Sequence, residues 1–482
     1  MQDKMTKRVA AATKWSVLAE IFAKIASPIV NSILARLLDP EMFGVVASIT
    51  IITSFADIFT DAGFQKFVIQ HEYPNESALN RDANVAFTSN LFLSSIIYLI
   101  IFLFRKDLAI AVGCPEAYNA LAVAALTVLC TSFSSINIAR FRRELNFKPL
   151  FYVRLGSSLI PLIITVPLAF LLKTYWALVI GTLSQQLFIA VVTFSISKNK
   201  PRLLFDFTNF KIMLSFSAWN LCETMSIWFA GQANIFIVAN TLTTYYLGLY
   251  RNGMTTINSY MTIVTAAVTP VLFSALSRVQ NNPEEFKATL SRFQKGLGIL
   301  IIPMGVGIFV YRELALKILL GNKWLAIADF MGLWALMSAC TITLSNVACE
   351  VYRSKGKPKV SFFLQIIYLA FYIPVIYFSA HAGFEVLCLW ACLIRLLPII
   401  FDIITLKYKF DIRPGLIFGN LWYSALAAVF MGILGFLMLR ISNNIVWQFC
   451  SVGICILVYF VIQVANPKMR KEIKGLKNLI KK

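Results

Sequence analysis

The hydrophobic positions of the chain fall into about fourteen apolar runs of roughly twenty residues or more, separated by short polar connections. Runs of this length match the hydrocarbon thickness of a bilayer. The pattern therefore predicts an all-α integral membrane protein with about fourteen transmembrane helices. The predicted spans are 12–36, 42–65, 84–104, 109–134, 151–172, 175–196, 212–238, 244–274, 290–311, 325–350, 361–380, 384–405, 417–439 and 445–465.

Polar residues recur on one face of predicted span 1. At about 100° per residue, Glu20, Lys24 and Asn31 fall within roughly an 80° arc, and the other faces are apolar. A charged side chain at membrane depth costs about 2.5–3.5 kcal/mol or more, so it usually faces a bundle interior or a water-filled cavity. We interpret span 1 as the wall of a polar chamber. The simpler interpretation is that Glu20 and Lys24, one turn apart, neutralise each other against a neighbouring helix.

An internal repeat relates the two halves of the chain. A shift of 204 residues places Gly44 on Gly248, span 1 on span 7 and span 2 on span 8. Six spans per repeat is an even number, so both repeats have the same orientation in the membrane. We expect two six-helix lobes around a central cavity, followed by an extra helix pair and a basic tail that forms an amphipathic surface helix. The predicted boundaries are 1–205, 206–410 and 411–482.

The repeat also predicts which polar side chains face the cavity. Spans 1, 2, 7 and 8 carry polar stripes, and span 5 carries a weaker one. Cationic and amide side chains suit an anionic substrate such as a pyrophosphate, because Arg grips phosphate with two hydrogen bonds and Lys acts as a point charge. The acids would take up a proton or Na⁺, or hold the cations in place. The alternative is that the stripes form a packing seam. Candidate substrate-binding residues are Lys24, Asn31, Arg154, Asn220, Arg251 and Asn258, and candidate ion-coupling or cavity acids are Glu20, Asp57, Asp61 and Glu223.

The formal net charge of +21 is explained by membrane orientation rather than by nucleic-acid binding. With the N-terminus in the cytoplasm, cytoplasmic segments hold 31 Lys and Arg residues and the opposite side holds 8. This asymmetry predicts that both termini are cytoplasmic. The nine Cys and two His residues show no metal-ligand spacing and no disulfide framework. There is also no catalytic motif and no nucleotide-binding loop, so we expect neither an enzyme nor a cofactor.

Four short motifs resemble those of polysaccharide transporters. Residues 34–44 (LARLLDPEMFG) are similar to the family's span 1–2 signature, LaRlLsPeeFG. Residues 61–64 (DAGF) resemble its end of span 2, and residues 246–251 (YLGLYR) resemble a motif of its second lobe. Residues 270–278 (PVLFSALSR) follow a further pattern of the family, with a serine where that pattern has a second proline.

The resemblance points to Wzx-type lipid-linked oligosaccharide flippases, within the multidrug/oligosaccharidyl-lipid/polysaccharide superfamily. It implies transport of an undecaprenyl-pyrophosphate-linked oligosaccharide across the bacterial inner membrane by alternating access, for O-antigen, capsule or exopolysaccharide synthesis. Membrane lipids, a polysaccharide polymerase and a chain-length regulator are the implied partners. Related lipid II flippases imply cationic residues in spans 1 and 8 of a central cavity, which by span are Lys24 and Arg251 here.

Three other functions compete with this expectation. A multidrug cation antiporter of the same superfamily would favour an acidic, aromatic-lined chamber. A membrane enzyme such as a polysaccharide polymerase or ligase would be expected to carry a large outer loop, and the outer connections here are short. A structural membrane protein would not need four aligned polar stripes.

Overall fold

A computed structural model of the chain describes residues 2–61, 64–442 and 444–466, and these residues contain helices and no strand. The all-helical membrane class predicted from the sequence is therefore confirmed. The helices up to residue 241 are α1 (Gln2–Leu37), α2 (Pro40–Asp61), α3 (Phe64–Gln70), α4 (Glu76–Leu103), α5 (Arg105–Ala111), α6 (Tyr118–Ala124), α7 (Leu126–Arg143), α8 (Phe147–Ile160), α9 (Val166–Leu172), α10 (Trp176–Ile196) and α11 (Phe207–Thr241).

Ten further helices follow in the remaining described chain. They are α12 (Thr244–Arg278), α13 (Pro283–Val310), α14 (Arg312–Leu319), α15 (Ala328–Thr341), α16 (Val347–Ser354), α17 (Pro358–Ala382), α18 (Phe384–Leu393), α19 (Leu396–Phe410), α20 (Pro414–Ile441) and α21 (Ile445–Ala465). Each predicted span overlaps at least one helix. Among the described residues, 11 helical segments are long and apolar enough to cross a membrane, and the two parts of α12, bent by 42°, make a twelfth. The number fourteen stays a prediction, and the expected tail helix lies outside the described residues.

Within the described part of the chain, two of the spans contain a π-helical turn. One covers Pro161–Thr165 between α8 and α9, and the other covers Ile342–Asn346 between α15 and α16. The first begins at a proline, which has no backbone N–H and cannot continue the ordinary hydrogen-bond ladder. Single π turns are enriched at functional sites. Both turns lie beside polar side chains described below.

The chain forms two compact units, Met1–Arg251 and Asn252–Lys482. The predicted boundaries at 205/206 and 410/411 stay predictions. In the N-terminal unit, a buried cluster joins Val45 and Ile49 of α2 to Leu121 of α6. In the C-terminal unit, a cluster around Met431 and Tyr459 packs α20 and α21 against α13. Small and branched apolar side chains supply most of the first core, whereas the second core also contains large Met and Tyr side chains.

Gly44 and Gly248, partners in the sequence repeat, face each other across a close approach of α2 and α12 within the N-terminal unit. A Cβ atom on Gly44 would lie 2.7 Å from the carbonyl carbon of Thr244, and closer still to its oxygen. A Cβ atom on Gly248 would lie 2.7 Å from the carbonyl carbon of Pro40, again closer to the oxygen. The two helices meet backbone to backbone, which only glycine permits on both sides.

The segment 197–206, between α10 and α11, runs along α4 and is held there by side chains. The backbone N–H of Arg202 donates to Oδ1 of Asn84 at 3.0 Å, and that of Leu204 donates to Oγ1 of Thr88 at 2.9 Å. Asn84 and Thr88 are one helical turn apart, so they meet two alternate residues of an extended chain. These bonds supply partners for backbone donors that no helix or sheet satisfies.

Asp206 ends this segment and begins α11. Its carboxylate accepts hydrogen bonds from the backbone N–H groups of Thr208 (3.0 Å) and Asn209 (3.4 Å), which is the usual role of an aspartate N-cap. The same carboxylate pairs with the Arg81 guanidinium. This hydrogen bond to Arg81, with the two backbone N–H groups, lowers the pKa of Asp206. The start of span 7 is thereby fixed to α4.

Candidate functional site

A polar cavity lies inside the N-terminal unit, between α1, α8 with its π turn, and α10. We call it the N-terminal cavity. Its volume is about 430 Å³, within the range typical of small-molecule sites. The polar part of its wall is formed by amide, hydroxyl and guanidinium side chains, namely Asn31, Arg154, Ser158, Thr182, Gln185 and Gln186.

The N-terminal cavity is long compared with the thickness of a bilayer core. Its lining on α10 runs from Leu178 to Ile189, which is about 16 Å along a helix, roughly half of a 30 Å hydrocarbon core. Val30 and Leu34 of α1 form part of its apolar wall. At Gly181 the α10 backbone approaches the π turn so closely that an added Cβ would overlap the Thr165 side chain. The π turn therefore packs against α10 while the cavity stays open beside it.

The N-terminal cavity is electrostatically positive. Of the described residues that line it, only Arg154 carries a charge. The Ser157 and Ser158 hydroxyls donate to the Arg154 backbone carbonyl, at 3.0 and 2.7 Å, and leave the guanidinium untouched. Within the described chain, no protein group hydrogen-bonds the Gln185 or Gln186 side-chain amide. The cavity thus presents one cation and several hydrogen-bonding groups to whatever it contains.

The cavity brings together two of the candidates chosen from sequence. Asn31 of span 1 and Arg154 of span 5 both line it. The third wall comes from span 6, which sequence reasoning missed because this span carries no polar stripe. The signal available there was the adjacent pair Gln185 and Gln186 in an otherwise apolar helix, with Thr182 one turn before.

Lys24 and Glu20 form an ion pair on α1, with Nζ and Oε1 3.5 Å apart. The two side chains are 37% and 50% exposed, respectively. The pairing itself is what the simpler interpretation of span 1 foresaw. A pair this exposed contributes at most about 1 kcal/mol, so the Lys24 ammonium can exchange partners at little cost. A substrate-binding role for Lys24 stays a prediction.

Arg251 lies one turn beyond Gly248 on α12. Its guanidinium Nη1 donates to the backbone carbonyl of Ala47 on α2 at 2.9 Å. The hydrogen bond lies one turn from the Gly44 approach and ties the same two helices together. Arg251 is half-buried there. Its proposed contact with substrate stays a prediction.

The polar stripe of span 2 contacts span 7 within the N-terminal unit. The Trp228 indole Nε1 on α11 donates to Oγ of Ser54 at 2.9 Å, and its ring centroid lies 5.0 Å from that of Phe55. Asp57 follows one turn later on α2 and is half-buried. The stripe predicted for span 2 therefore supports at least one helix–helix contact. The coupling role of Asp57 stays a prediction.

Asn258 belongs to a polar group in the C-terminal unit. Its Oδ1 accepts a hydrogen bond from the Trp334 indole Nε1 at 3.1 Å. The Arg395 guanidinium lies over the same indole, 4.0 Å from the ring centroid, a cation–π arrangement. On the same helix face, the Thr262 hydroxyl bonds back to the Asn258 carbonyl at 2.5 Å. Part of the span 8 stripe is thus satisfied within its own helix.

Asp402 of α19 is a buried acid that sequence reasoning did not select. The Ser345 hydroxyl, in the second π turn, donates to one carboxyl oxygen, and the Tyr352 hydroxyl donates to the other at 2.9 Å. The side chains of Asp61, Asn220 and Glu223, which were predicted to face a cavity, lie outside the described residues. Among the described residues, no three His, Cys, Asp or Glu side chains come together as a metal site.

This fold and this cavity define a multi-pass membrane protein with an internal polar compartment. Residues 33–329 match the model of a family described as "Polysaccharide biosynthesis protein". The match covers more than half of the chain, and the protein belongs to this family.

Individual relatives agree with the family assignment. The chain is 22% identical over 400 residues, 82% of its length and 79% of the relative's, to the succinoglycan biosynthesis transport protein ExoT of Rhizobium meliloti (strain 1021). It is 21% identical over 370 residues, 76% of its length and 75% of the relative's, to an uncharacterized membrane protein in the cps region of Klebsiella pneumoniae. Among solved structures, lipid II flippase MurJ in an inward closed conformation has a similar fold. That comparison has a TM-score of 0.71 at 15% identity and covers 94% of this chain and 98% of the other.

Proposed function

We propose that this protein moves a lipid-linked oligosaccharide across the bacterial inner membrane by alternating access. The proposal makes an undecaprenyl-pyrophosphate-linked repeat unit the substrate, with both termini in the cytoplasm. Membership of a polysaccharide biosynthesis family supports it, as does the likeness to the transport protein ExoT. The choice between O-antigen, capsule and exopolysaccharide units is left to the experiment below.

The N-terminal cavity is the observation that carries this proposal. A pyrophosphate with attached sugars cannot cross hydrocarbon unaided, because its charges and hydroxyls would lose their hydration. The cavity offers a cation and several uncharged hydrogen-bonding side chains at membrane depth. Such groups replace water around an oligosaccharide headgroup. Lys24, Arg251, Asn220 and Asn258 are proposed as further contacts along its path.

The charge of the cavity argues against a multidrug cation antiporter. An organic cation would be bound by carboxylates or by the faces of aromatic rings. The described lining of the N-terminal cavity has Arg154 as its charged residue and amides as its main polar groups. A guanidinium repels a cationic drug and attracts an oxyanion.

An apolar groove in the C-terminal unit suits the lipid part of such a substrate. It has a volume of about 420 Å³ and runs between α13, α20 and α21, lined by residues such as Pro303, Met431 and Phe460. A polyprenyl chain is a flexible hydrocarbon, and an apolar groove offers it the same kind of surroundings as lipid, so the tail can enter or leave the groove with little change in free energy. We propose that the tail rests in this groove or in lipid while the headgroup moves.

The energy source and the partners are also part of the proposal. Glu20, Asp57, Asp61 and Glu223 are the candidate acids for coupling to a proton or Na⁺ gradient. A polysaccharide polymerase and a chain-length regulator would act on the product in the outer leaflet. Neither nucleic acid nor a resident cofactor has a place in this function.

The test is to follow the lipid-linked intermediate in the native host. The gene is deleted, lipids are extracted, and pyrophosphate-linked oligosaccharides are quantified and assigned to a leaflet with a membrane-impermeant sugar-oxidising reagent. We expect accumulation on the inner leaflet, reversed by the intact gene. The sugars recovered would identify the repeat unit.

Two other outcomes would contradict the flippase function. A deletion strain without accumulated lipid-linked sugar, but with new sensitivity to cationic dyes, would replace the flippase by the drug antiporter. Unchanged lipids together with unchanged dye sensitivity would reject both functions.

A further inference from the structure

We infer that the N-terminal cavity is a binding subsite for an oxyanion carried by a sugar, with the anion at Arg154 and the sugar hydroxyls at Gln185 and Gln186. This inference rests on the proposed function and names the part of the substrate that this cavity takes. It follows from the chemistry of the three walls rather than from the predicted stripes, three of which, on spans 2, 7 and 8, supply none of the described lining.

The position of Arg154 points to an oxyanion. Its side chain is exposed at the cavity, and within the described residues no carboxylate approaches its guanidinium. It is the seventh residue after the start of α8, about 10 Å into the helix, where a charge costs free energy unless it meets water or a counter-ion. Carboxylate and phosphate oxygens both match the planar guanidinium fork.

The two adjacent glutamines point to a sugar. Each side-chain amide offers two N–H donors and one carbonyl acceptor, and both line the cavity together with the Thr182 and Ser158 hydroxyls. A sugar hydroxyl is both a donor and an acceptor, so it pairs well with an amide. Adjacent residues on a helix point about 100° apart, so a partner with a single polar group would not meet both amides. A sugar ring carries several hydroxyls that point in different directions, so it can meet both.

The oxyanion has two possible sources in a lipid-linked oligosaccharide. It is either a carboxylate on one of the sugars or the diphosphate of the carrier. The shared chemistry is an oxygen anion next to hydroxyls, and the arms of the experiment separate the two. A cationic ligand is excluded by the same geometry.

The experiment measures ligand binding to the full-length protein in lipid nanodiscs by isothermal titration. The probes are methyl glucuronide, methyl glucoside and inorganic pyrophosphate. The variants are Arg154→Gln and Gln185→Leu. The matched controls are Lys148→Gln, an exposed cation on the same helix as Arg154, and Ser195→Leu, an exposed residue on the same helix as Gln185.

We expect the unmodified protein to bind an anionic probe more tightly than methyl glucoside. Arg154→Gln should weaken the anionic probe by about tenfold or more, the worth of a charge-assisted hydrogen bond, and leave methyl glucoside unchanged. Gln185→Leu should weaken both sugars and leave pyrophosphate unchanged. The control variants should bind like the unmodified protein. If Arg154→Gln weakens the binding of methyl glucuronide alone, the anion belongs to the sugar. If pyrophosphate binds tightly, the anion belongs to the carrier.

The inference is overturned if no probe binds, or if binding is the same in both cavity variants as in the controls. The leaflet assay keeps this separate from the proposed function. Suppose that the deletion strain accumulates lipid-linked sugar on the inner leaflet and that either variant reverses this fully. The proposed flippase function would then stand, and this subsite would be rejected. A deletion strain without accumulation would reject the flippase whatever the probes do.

Discussion

The backbone contact between Gly44 and Gly248 makes a quantitative prediction about folding. Replacing either glycine by alanine places a Cβ atom 2.7 Å from a backbone carbonyl carbon of the opposing helix. Ordinary carbon–carbon contact is about 3.5–4.0 Å, so α2 and α12 would have to separate by about 1 Å at this point. A flexible side chain could rotate away, but a carbonyl in a helical turn cannot.

The expected cost follows from two opposing terms. Overpacking a tight contact costs about 1–3 kcal/mol, and here the obstacle is rigid, so we expect the upper part of that range. Alanine is favoured over glycine inside a helix by about 1 kcal/mol, which offsets part of the loss. We expect Gly44→Ala and Gly248→Ala each to lower the free energy of unfolding by about 1–2 kcal/mol. The double variant should lose less than the sum, because either Cβ forces the same separation.

The control for this prediction is Gly231→Ala on α11. A Cβ at that position meets nothing within 4 Å, so the variant retains only the helix-propensity gain. The measurement is the thermal midpoint of the purified protein in detergent, followed by size-exclusion chromatography with fluorescence detection. Midpoints for Gly44→Ala and Gly248→Ala that equal or exceed that of Gly231→Ala would refute the close approach.

Variants at three further positions test other contacts by the same thermal measurement. Trp228→Phe keeps the aromatic ring but removes the hydrogen bond to Ser54, at a cost of about 1 kcal/mol. Asp402→Ala leaves two buried hydroxyl donors without their acceptor and should cost about 2 kcal/mol or more, whereas Asp402→Asn retains an acceptor and should cost less. Asp206→Asn removes a carboxylate whose pKa is lowered by Arg81. Its stabilisation is complete above the ordinary aspartate pKa of about 3.9 and lost as the pH falls below it. The difference in thermal midpoint between wild type and Asp206→Asn should therefore become smaller as the pH falls from 7 to about 3.

Each of these variants has a matched comparison. Trp422→Phe alters an indole that is 64% exposed, and a loss as large as that of Trp228→Phe would remove the Ser54 contact from the explanation. Equal losses in Asp402→Ala and Asp402→Asn would mean that the acceptor oxygens are not what the pocket requires. Asp206→Asn is compared with Asp107→Asn, at an exposed aspartate of α5. If the difference in thermal midpoint between wild type and Asp206→Asn did not change with pH, the pairing with Arg81 would be contradicted.

The membrane helices were predictable because hydropathy acts on every residue of a span. Each predicted span overlaps at least one helix, since burying about twenty apolar residues in lipid outweighs local preferences. The repeat was also informative at single residues. It paired Gly44 with Gly248 from sequence, although their mutual contact depends on the packing of α2 against α12, which a shift of 204 residues does not reveal.

The candidate site was only partly predictable. Asn31 and Arg154 were selected because they belong to the polar stripes of spans 1 and 5, and both line the N-terminal cavity. Gln185 and Gln186 were missed because two neighbouring amides make no stripe at helical spacing. Asp402 was missed because its partners, Ser345 and Tyr352, are contributed by a different span. Periodicity detects polar groups that share one helix face, but it cannot detect groups that meet from different helices.

The segment 197–206 has a practical consequence for protein engineering. By length and composition it resembles a flexible connection, which is where a fluorescent protein or affinity tag would ordinarily be inserted. Two of its backbone N–H groups, those of Arg202 and Leu204, instead donate to Asn84 and Thr88 of α4, and its last residue caps α11. An insertion there would unpair two amide groups and shift the start of a transmembrane helix. In this chain the segment that looks like a flexible linker is a fixed connection that holds α11 against α4.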